Sequence, residues 1–159
     1  SLARLHTPGF KVFRWERDWD LPGEPFRDPA NYPPVSVATT GTHDTEPMIT
    51  WWEAAPLEER AAVATIPSLA AILRDVDPAD APFSRVRDAL LELLMASRAS
   101  VVLFPIQDVF GWADRINEPA TVKPGNWTYR LPWPIDTFAS EPVAQERQAS
   151  LRRWTRTYA

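Results

Sequence analysis

His43 and Asp44 are the residues of this sequence whose types and position suggest chemistry most directly. They close the stretch VSVATTGTHD (35–44), where a β-branched, strand-like run ends in a glycine and then in an imidazole beside a carboxylate. In one interpretation Asp44 points from the end of a strand into a cleft, with His43 as a hydrogen-bond donor. In the other, Asp44 is the N-cap of the following helix, a frequent role of aspartate. The local sequence leaves both interpretations open.

A metal centre is not expected at this pair. The chain contains only one other histidine, His6, and no cysteine. It lacks the HxH and HExxH spacings, and one His-Asp pair supplies too few ligands for zinc. The sequence also has no glycine-rich phosphate loop and no serine or cysteine in a nucleophile elbow.

A second polar pair, Gln107-Asp108, follows the apolar run SVVLFPI (100–106) in the same way. A turn or helix cap is the favoured interpretation of this pair, and a site residue is the alternative. The loop behind it contains Arg115, Asn117 and Asn126. Their planar guanidinium and amide groups suit ligands that are rich in hydroxyls.

The 8 tryptophans of the chain indicate either a large aromatic core or surfaces that stack on ligands. For any single tryptophan, core packing is the favoured interpretation. Five aromatic residues nevertheless lie in the predicted loops or directly beside them: Trp15, Trp19, Phe110, Trp112 and Trp127. Together with the amides, they favour a carbohydrate cleft over a nucleotide or lipid pocket.

Three strands must position these residues. They are predicted at PGFKVFRW (8–15), VSVATT (35–40) and SVVLFPI (100–106), the last as a strand buried on both faces. The clearest helix is PFSRVRDALLELLMASRA (82–99), whose apolar residues recur at three- and four-residue spacing. Further helices are predicted from Pro47 through MITWWEAA, at PLEERAAVATI (56–66), and in EPVAQERQASLRRWTRTYA.

This alternation predicts an α/β fold built of parallel βα units. In such folds ligands gather on the loops that follow the carboxyl ends of the strands. Those loops are 16–34, 41–46 and 107–135, and they hold the polar and aromatic residues named above. We therefore expect a single working face.

The composition narrows the possible partners. The net charge is −4, the pI is near 5.2 and no block of Lys or Arg occurs, so nucleic acid is not an expected partner. No stretch is long and apolar enough for a membrane span, so no membrane association is expected either. The expected location is the cytoplasm.

Four ordered motifs resemble those of the 4-α-glucanotransferases, the amylomaltase and disproportionating-enzyme family (glycoside hydrolase family 77). They are TGTHDT followed by WW, PIQDVFG, RINEPATVKPGNWTYRLPW and, near the start, PGFKVFRW. They occur in the family's order and cover nearly the whole chain. The chain resembles the carboxyl-terminal portion of these enzymes. The resemblance therefore implies about the last three βα units of a (β/α)8 TIM-type barrel.

The resemblance also implies a reaction. These enzymes transfer α-1,4-glucan segments between maltooligosaccharides by a retaining mechanism, and they need no metal or organic cofactor. Asp44 matches the carboxylate that stabilises the transition state. His43 and Asn117 match substrate-binding residues, and Trp15 matches an aromatic residue of the cleft.

Other features depart from the family pattern. The nucleophilic Asp and the acid/base Glu of these enzymes have no match here, so the implied partners include the missing amino-terminal barrel portion, or further copies of this chain. Glu46 and Pro47 replace small polar residues, and Ala120 stands where many members have glycine. The alternative function is a non-catalytic carbohydrate-binding or structural domain.

Overall fold

The chain folds as a three-stranded parallel sheet with helices packed against it, in a computed structural model that describes residues 5, 7–74 and 76–158. The strands are β1 (Gly9–Val12), β2 (Ser36–Thr39) and β3 (Val101–Leu103). The helices are α1 (Met48–Ala54), α2 (Leu57–Ala64), α3 (Pro67–Leu73), α4 (Phe83–Met95), α5 (Ile106–Phe110), α6 (Ile135–Phe138) and α7 (Pro142–Tyr158). The predicted α/β class and the parallel direction of the strands are confirmed.

The sheet brings the ends of its strands to one edge. β2 lies in the middle and pairs in parallel with β1 and with β3, so all three carboxyl ends point the same way. Ala38 of β2 pairs with Lys11 on one side and with Val102 on the other. Ala38 is fully buried in the core, which fixes this face of the sheet toward the helices.

The opposite face of the sheet carries exposed apolar side chains. Phe10, Val101 and Leu103 are 62%, 41% and 51% exposed. The prediction that the third strand is buried on both faces is therefore wrong for this chain. The physical reason is that side chains alternate between the two faces of a strand and the helices cover only one of them, so every second residue of β3 faces away from the helices.

Helix α4 is the centre of the core. Its buried residues are Val86, Ala89, Leu90, Leu91, Leu93 and Leu94. Around it pack buried residues of three other helices: Met48, Trp52, Leu69, Leu73 and Trp154. The apolar stripe predicted on this helix is thus its packing face, and two of the eight tryptophans belong to the core.

Proline decides where several elements begin. Pro105 ends the extended run, because its fixed φ and missing N–H suit the start of a helix, and α5 begins at Ile106. Pro67 opens α3, a helix that the sequence pattern did not predict. At the first strand, the chain leaves the sheet after Val12 and forms a 3₁₀ turn over Phe13–Trp15. Within the described stretches, no helix is long and apolar enough to cross a membrane.

Candidate active site

The loop after β2 holds His43 and Asp44 in a tight turn that makes its own hydrogen bonds. Thr45 Oγ1 accepts a hydrogen bond from Thr42 N at 2.9 Å and donates to Thr42 O at 3.0 Å. Thr42 Oγ1 in turn accepts from Asp44 N at 3.2 Å. A Cβ at Gly41 would lie 2.5 Å from Thr45 Oγ1, so any larger residue there would displace the Thr45 side chain from these bonds. The turn therefore fixes the backbone of Asp44 relative to β2.

Asp44, His43 and Asn117 lie together, although Asp44 and Asn117 are 73 positions apart in the sequence. Asn117 Nδ2 donates to Asp44 Oδ1 at 2.6 Å, and His43 Nε2 lies 3.3 Å from Asp44 Oδ2. The side chains of His43 and Asp44 are 54% and 45% exposed. The carboxylate is thus oriented by its neighbours and still open to a ligand.

Arg115 joins the two loops that carry this trio. Its Nη2 donates to the main-chain oxygen of Asp44 at 2.6 Å, and its Nε donates to the main-chain oxygen of Asn117 at 2.7 Å. Because the guanidinium group is planar and rigid, these two bonds set the distance between the loops. Arg115 is therefore a positioning residue for the carboxylate and the amide.

The loop that carries Asn117 is itself built around Asn126. Asn126 Oδ1 accepts from Glu118 N at 3.2 Å, and Asn126 Nδ2 donates to Thr121 O at 3.1 Å. One amide thus satisfies a donor and an acceptor of the main chain inside a segment that has no regular secondary structure. This makes Asn126 a structural residue, where the sequence suggested a group for binding hydroxyls.

Asp108, and not Asp44, caps helix α1. The main-chain N–H of Met48, the first residue of α1, donates to Asp108 Oδ1 at 2.6 Å. The N-cap position is Pro47, which has no side-chain capping bond. The N-cap interpretation of Asp44 is therefore wrong, because the turn at Asp44 ends before the helix begins. For Gln107-Asp108, the favoured interpretation as a cap is correct, although the helix that it caps is α1.

The Asp108 carboxylate is 1% exposed and is held by two groups of the segment that runs from the end of β2 into α1. Its second oxygen accepts from Thr40 Oγ1 at the end of β2. Burial raises the pKa of the Asp108 carboxyl, and the hydrogen bonds from Met48 and Thr40 and the charge of Arg14 act against that rise. Asp108 therefore connects the first turn of α5 to the segment that follows β2.

Arg14 is a site-supporting residue that the sequence analysis missed. It is buried in the turn after β1, forms an ion pair with the Glu46 carboxylate, and donates from Nη2 to Glu46 O at 3.0 Å. Burial lowers the pKa of Arg14, and the charge of Glu46 opposes that shift. The available signal was a single arginine inside an otherwise apolar run at the end of a strand. Arg14 thus fixes the residue two positions after Asp44.

The structure sorts the five loop aromatics into two groups. Phe110 and Trp112 stack with ring centroids 4.4 Å apart, and both also contact Trp133. These two residues are packing residues. Trp127 instead lies against His43, with centroids 5.1 Å apart, and is 62% exposed.

Trp15 and Trp19 are also exposed, at 53% and 59%. Both follow β1 in the chain, so they lie on the loop side of the sheet. Among the described residues, no hydrogen bond or ring contact joins Trp15 to His43, Asp44 or Asn117. Trp15 therefore lies on the same side of the sheet as the trio, without a hydrogen bond or ring contact to it.

The trio lies on the open surface of these loops and does not line the small cavity beside it. This cavity, lined among others by Thr45, Gln107 and Arg115, measures about 10 Å³. Pockets for small molecules are about 300–1,000 Å³. In the part of the chain that the structure describes, no three His, Asp or Glu side chains are grouped as metal ligands. The arrangement offers one anion, one imidazole and one amide to hydroxyl groups.

Comparison with known proteins gives a consistent set of similarities. The profile of the family described as 4-alpha-glucanotransferase (Glyco_hydro_77) matches residues 1–136. The chain is 35% identical over 132 residues to the 4-alpha-glucanotransferase of Thermus thermophilus, covering 80% of this chain and 25% of that protein. It is 32% identical over 130 residues to the chloroplastic/amyloplastic 4-alpha-glucanotransferase of Solanum tuberosum, covering 80% of this chain and 20% of that protein.

Solved structures agree with the sequence comparisons. The amylomaltase of Streptococcus agalactiae in complex with acarbose matches with a TM-score of 0.71 and 27% identity, covering 99% of this chain and 28% of that one. The amylomaltase of Corynebacterium glutamicum has a TM-score of 0.68 at 17% identity, covering 94% and 26% of the two chains, and supports the fold alone. The chain spans between a fifth and three tenths of the length of these proteins.

Proposed function

The chain belongs to the 4-alpha-glucanotransferase family, and we propose that it is the carboxyl-terminal portion of such an enzyme, with Asp44 as the carboxylate that stabilises the transition state. The proposed reaction transfers α-1,4-glucan segments between maltooligosaccharides with retention of configuration. The loops 16–34 and 107–135 are proposed as the walls of the glucan cleft. The proposed occupant of the cleft is an α-glucan, which agrees with the acarbose bound to the similar amylomaltase.

The observation that carries this proposal is the environment of the Asp44 carboxylate. It is held by Asn117 through a 2.6 Å hydrogen bond, lies beside His43, and remains 45% exposed. Glycosyl transfer passes through an oxocarbenium-like state, in which hydrogen bonds to sugar hydroxyls strengthen as positive charge develops. A carboxylate already fixed in place stabilises that state with little reorganisation. His43, Asn117 and Trp15 are the proposed substrate-binding residues.

The same environment limits what this chain does alone. The hydrogen-bond and ion-pair partners of Asp44 among the described residues are Thr42, His43, Arg115 and Asn117, and none of them is a carboxylate. A retaining mechanism needs a nucleophile and an acid/base, with the two carboxyl groups about 5 Å apart. We propose that an amino-terminal portion of the barrel supplies both groups, and that the 159-residue chain alone does not disproportionate maltotriose.

The open face of the sheet supports such a partner. Phe10, Val101 and Leu103 are exposed on one face, and β1 and β3 are edge strands. A closed barrel covers both the edges and that face. Without the remaining strands, the proposed consequence is self-association of the isolated chain, which light scattering would detect. The cytoplasmic location stays a prediction, and the potato relative is named chloroplastic/amyloplastic.

The test is the change Asp44→Asn in the full-length protein that carries this segment. Asparagine keeps the shape of the side chain and removes its charge. We expect kcat for maltotriose disproportionation to fall by about a hundredfold or more, as when one preorganised electrostatic contact is lost. The matched control is Asp136→Asn, the same change at an exposed position of α6, which should leave kcat unchanged.

Two outcomes would contradict the proposal. Near-normal turnover of the Asp44→Asn variant would remove Asp44 from the reaction. A wild-type protein that binds maltooligosaccharides but never disproportionates them would favour the alternative of a non-catalytic carbohydrate-binding domain.

A further inference from the structure

Trp127 combines three properties that packing does not explain. Its side chain is 62% exposed, so it buries little apolar surface. Its backbone has a φ of 62°, in the left-handed region that glycine tolerates and bulky residues avoid. Its ring lies against His43 at 5.1 Å between centroids and 39° between planes. An exposed residue in an unfavourable conformation contributes little to the stability of the fold.

The surrounding loop imposes this conformation. The main-chain N–H of Trp127 donates to Ile116 O at 2.8 Å, which closes the loop that begins after Arg115. The neighbouring Asn126 is held from within the loop by its bonds to Glu118 and Thr121. Strained backbone of this kind persists where the surroundings over-determine it, and it is concentrated at functional sites. The loop therefore holds the backbone of Trp127 in one conformation, and the ring is oriented against His43.

That orientation is toward the trio. The ring contacts His43, which lies 3.3 Å from the Asp44 carboxylate, and the loop is joined to Asp44 through Arg115. An indole face beside hydrogen-bonding groups matches a pyranose ring, which has an apolar C–H face and hydroxyls on its rim. Resting on the proposed function, we infer that Trp127 is a substrate-binding platform that stacks on one glucose ring of the α-1,4-glucan next to the ring held by Asp44.

Among the exposed tryptophans on this side of the sheet, Trp127 is the one with a ring contact to a residue of the trio. Trp19 lies 6.0 Å from the guanidinium of Arg17, within its own loop. The rings of Phe110 and Trp112 stack on each other. Trp127 is therefore the aromatic residue that the geometry connects to the candidate chemistry.

The loop provides its own control. Ala120 also has a positive φ, 59°, and is exposed in the same loop, and among the described residues no hydrogen bond joins it to the trio. Replacing either residue by glycine relieves backbone strain, but only Trp127→Gly removes an aromatic face. A purely structural role of Trp127 and a ligand-binding role therefore predict different results for this pair of variants.

The experiment uses the full-length protein, with acarbose binding measured by calorimetry, kinetics on maltotriose, and thermal unfolding. Trp127→Ala and Trp127→Gly should weaken acarbose binding about tenfold, whereas Trp127→Phe should stay within about threefold of wild type. Stacking on a ring that does not react contributes equally to ground and transition states, so KM should rise while kcat changes little. The unfolding midpoint of Trp127→Gly should equal or exceed that of wild type, and Ala120→Gly should bind acarbose as wild type does.

The outcomes separate this inference from the proposal beneath it. One outcome would overturn the platform and leave the proposed function standing: the wild-type protein binds acarbose and turns over maltotriose, and Trp127→Ala binds acarbose with the same affinity as wild type. A fall in kcat at constant KM would also overturn it, since it would mean that the ring acts by orienting His43. A wild-type protein that neither binds acarbose nor turns over maltotriose would overturn both.

Discussion

Asp44, after β2, and Asp108, after β3, are carboxylates at neighbouring strand ends in opposite surroundings. The Asp44 side chain is 45% exposed and accepts one hydrogen bond from a side chain, that of Asn117. Asp108 is 1% exposed, and both of its oxygens accept hydrogen bonds, from Met48 N and Thr40 Oγ1. A carboxylate with both oxygens satisfied is an anchor, whereas one with free acceptor capacity can still bind a ligand.

The two regions are not independent. Both donors to Asp108 belong to the segment that starts at the end of β2 and enters α1, on either side of Asp44. The buried carboxylate therefore fixes the frame in which the exposed carboxylate is held. Arg115 and Arg14 add a second and a third tie to the same segment. Functional groups are held accurately when supporting residues of this kind lock their surroundings.

Asp108→Ala should have the largest effect on stability, and it tests most directly whether Asp108 is the structural carboxylate of the two. It leaves the buried Met48 N–H and the Thr40 hydroxyl without their acceptor, at a cost of about 1–3 kcal/mol for each group. We expect the free energy of unfolding to fall by about 2–4 kcal/mol. The matched change Asp44→Ala should cost less than about 1 kcal/mol, because its surroundings are solvated. Urea unfolding followed by circular dichroism measures both.

The assignment of anchor and ligand-binding carboxylate would be reversed by one result. That result is a larger loss of stability in Asp44→Ala than in Asp108→Ala, with full activity retained by Asp44→Ala.

Asn117→Ala should affect activity and spare stability. Removing the 2.6 Å hydrogen bond frees the Asp44 carboxylate to rotate, so preorganisation is lost. We expect kcat/KM for maltotriose in the full-length protein to fall about tenfold, equivalent to about 1.4 kcal/mol. Asn117→Asp keeps the shape and places two carboxylates side by side, so its loss should be larger. Equal activity of all three proteins would show that Asn117 does not orient Asp44.

Sequence predicted the parallel βα order and the helix stripe of α4, because period and β-branched composition report directly on strands and amphipathic helices. It also selected His43, Asp44 and Asn117, which the fold brings together. It did not distinguish the two carboxylates, because Asp44 and Asp108 follow apolar runs in similar ways. Only the tertiary arrangement puts Met48 N within reach of Asp108.

Other features were also beyond local patterns. The pairing of Arg14 with Glu46 spans 32 positions, and no periodicity reports on such a contact. The exposure of Val101 and Leu103 depends on what covers the face of the sheet opposite the helices, which the apolar run itself does not encode. At Ala120 the resemblance was informative: the φ of 59° is the conformation that the family's glycine would adopt without strain.

The smallest expected effect is a pH dependence of the free energy of unfolding that comes from the buried Asp108 carboxyl. The folded state raises the pKa of Asp108 above its ordinary value of 3.8, mainly through burial. At pH values between 3.8 and the raised pKa of the folded state, the folded protein binds more protons than the unfolded protein. The contribution of Asp108 to the free energy of unfolding therefore falls as pH rises through the folded pKa.

The variant Asp108→Asn tests this dependence, because it removes the titrating group and keeps the volume of the side chain. Arg14 is the charged residue that acts on this carboxylate in the folded state, and it stays charged throughout this pH range. The difference in unfolding free energy, wild type minus Asp108→Asn, should therefore grow as the pH is lowered from 7 toward 3.8. Urea titrations of both proteins at several pH values measure it. A difference that stays constant or shrinks on acidification would mean that burial does not dominate the ionisation of Asp108.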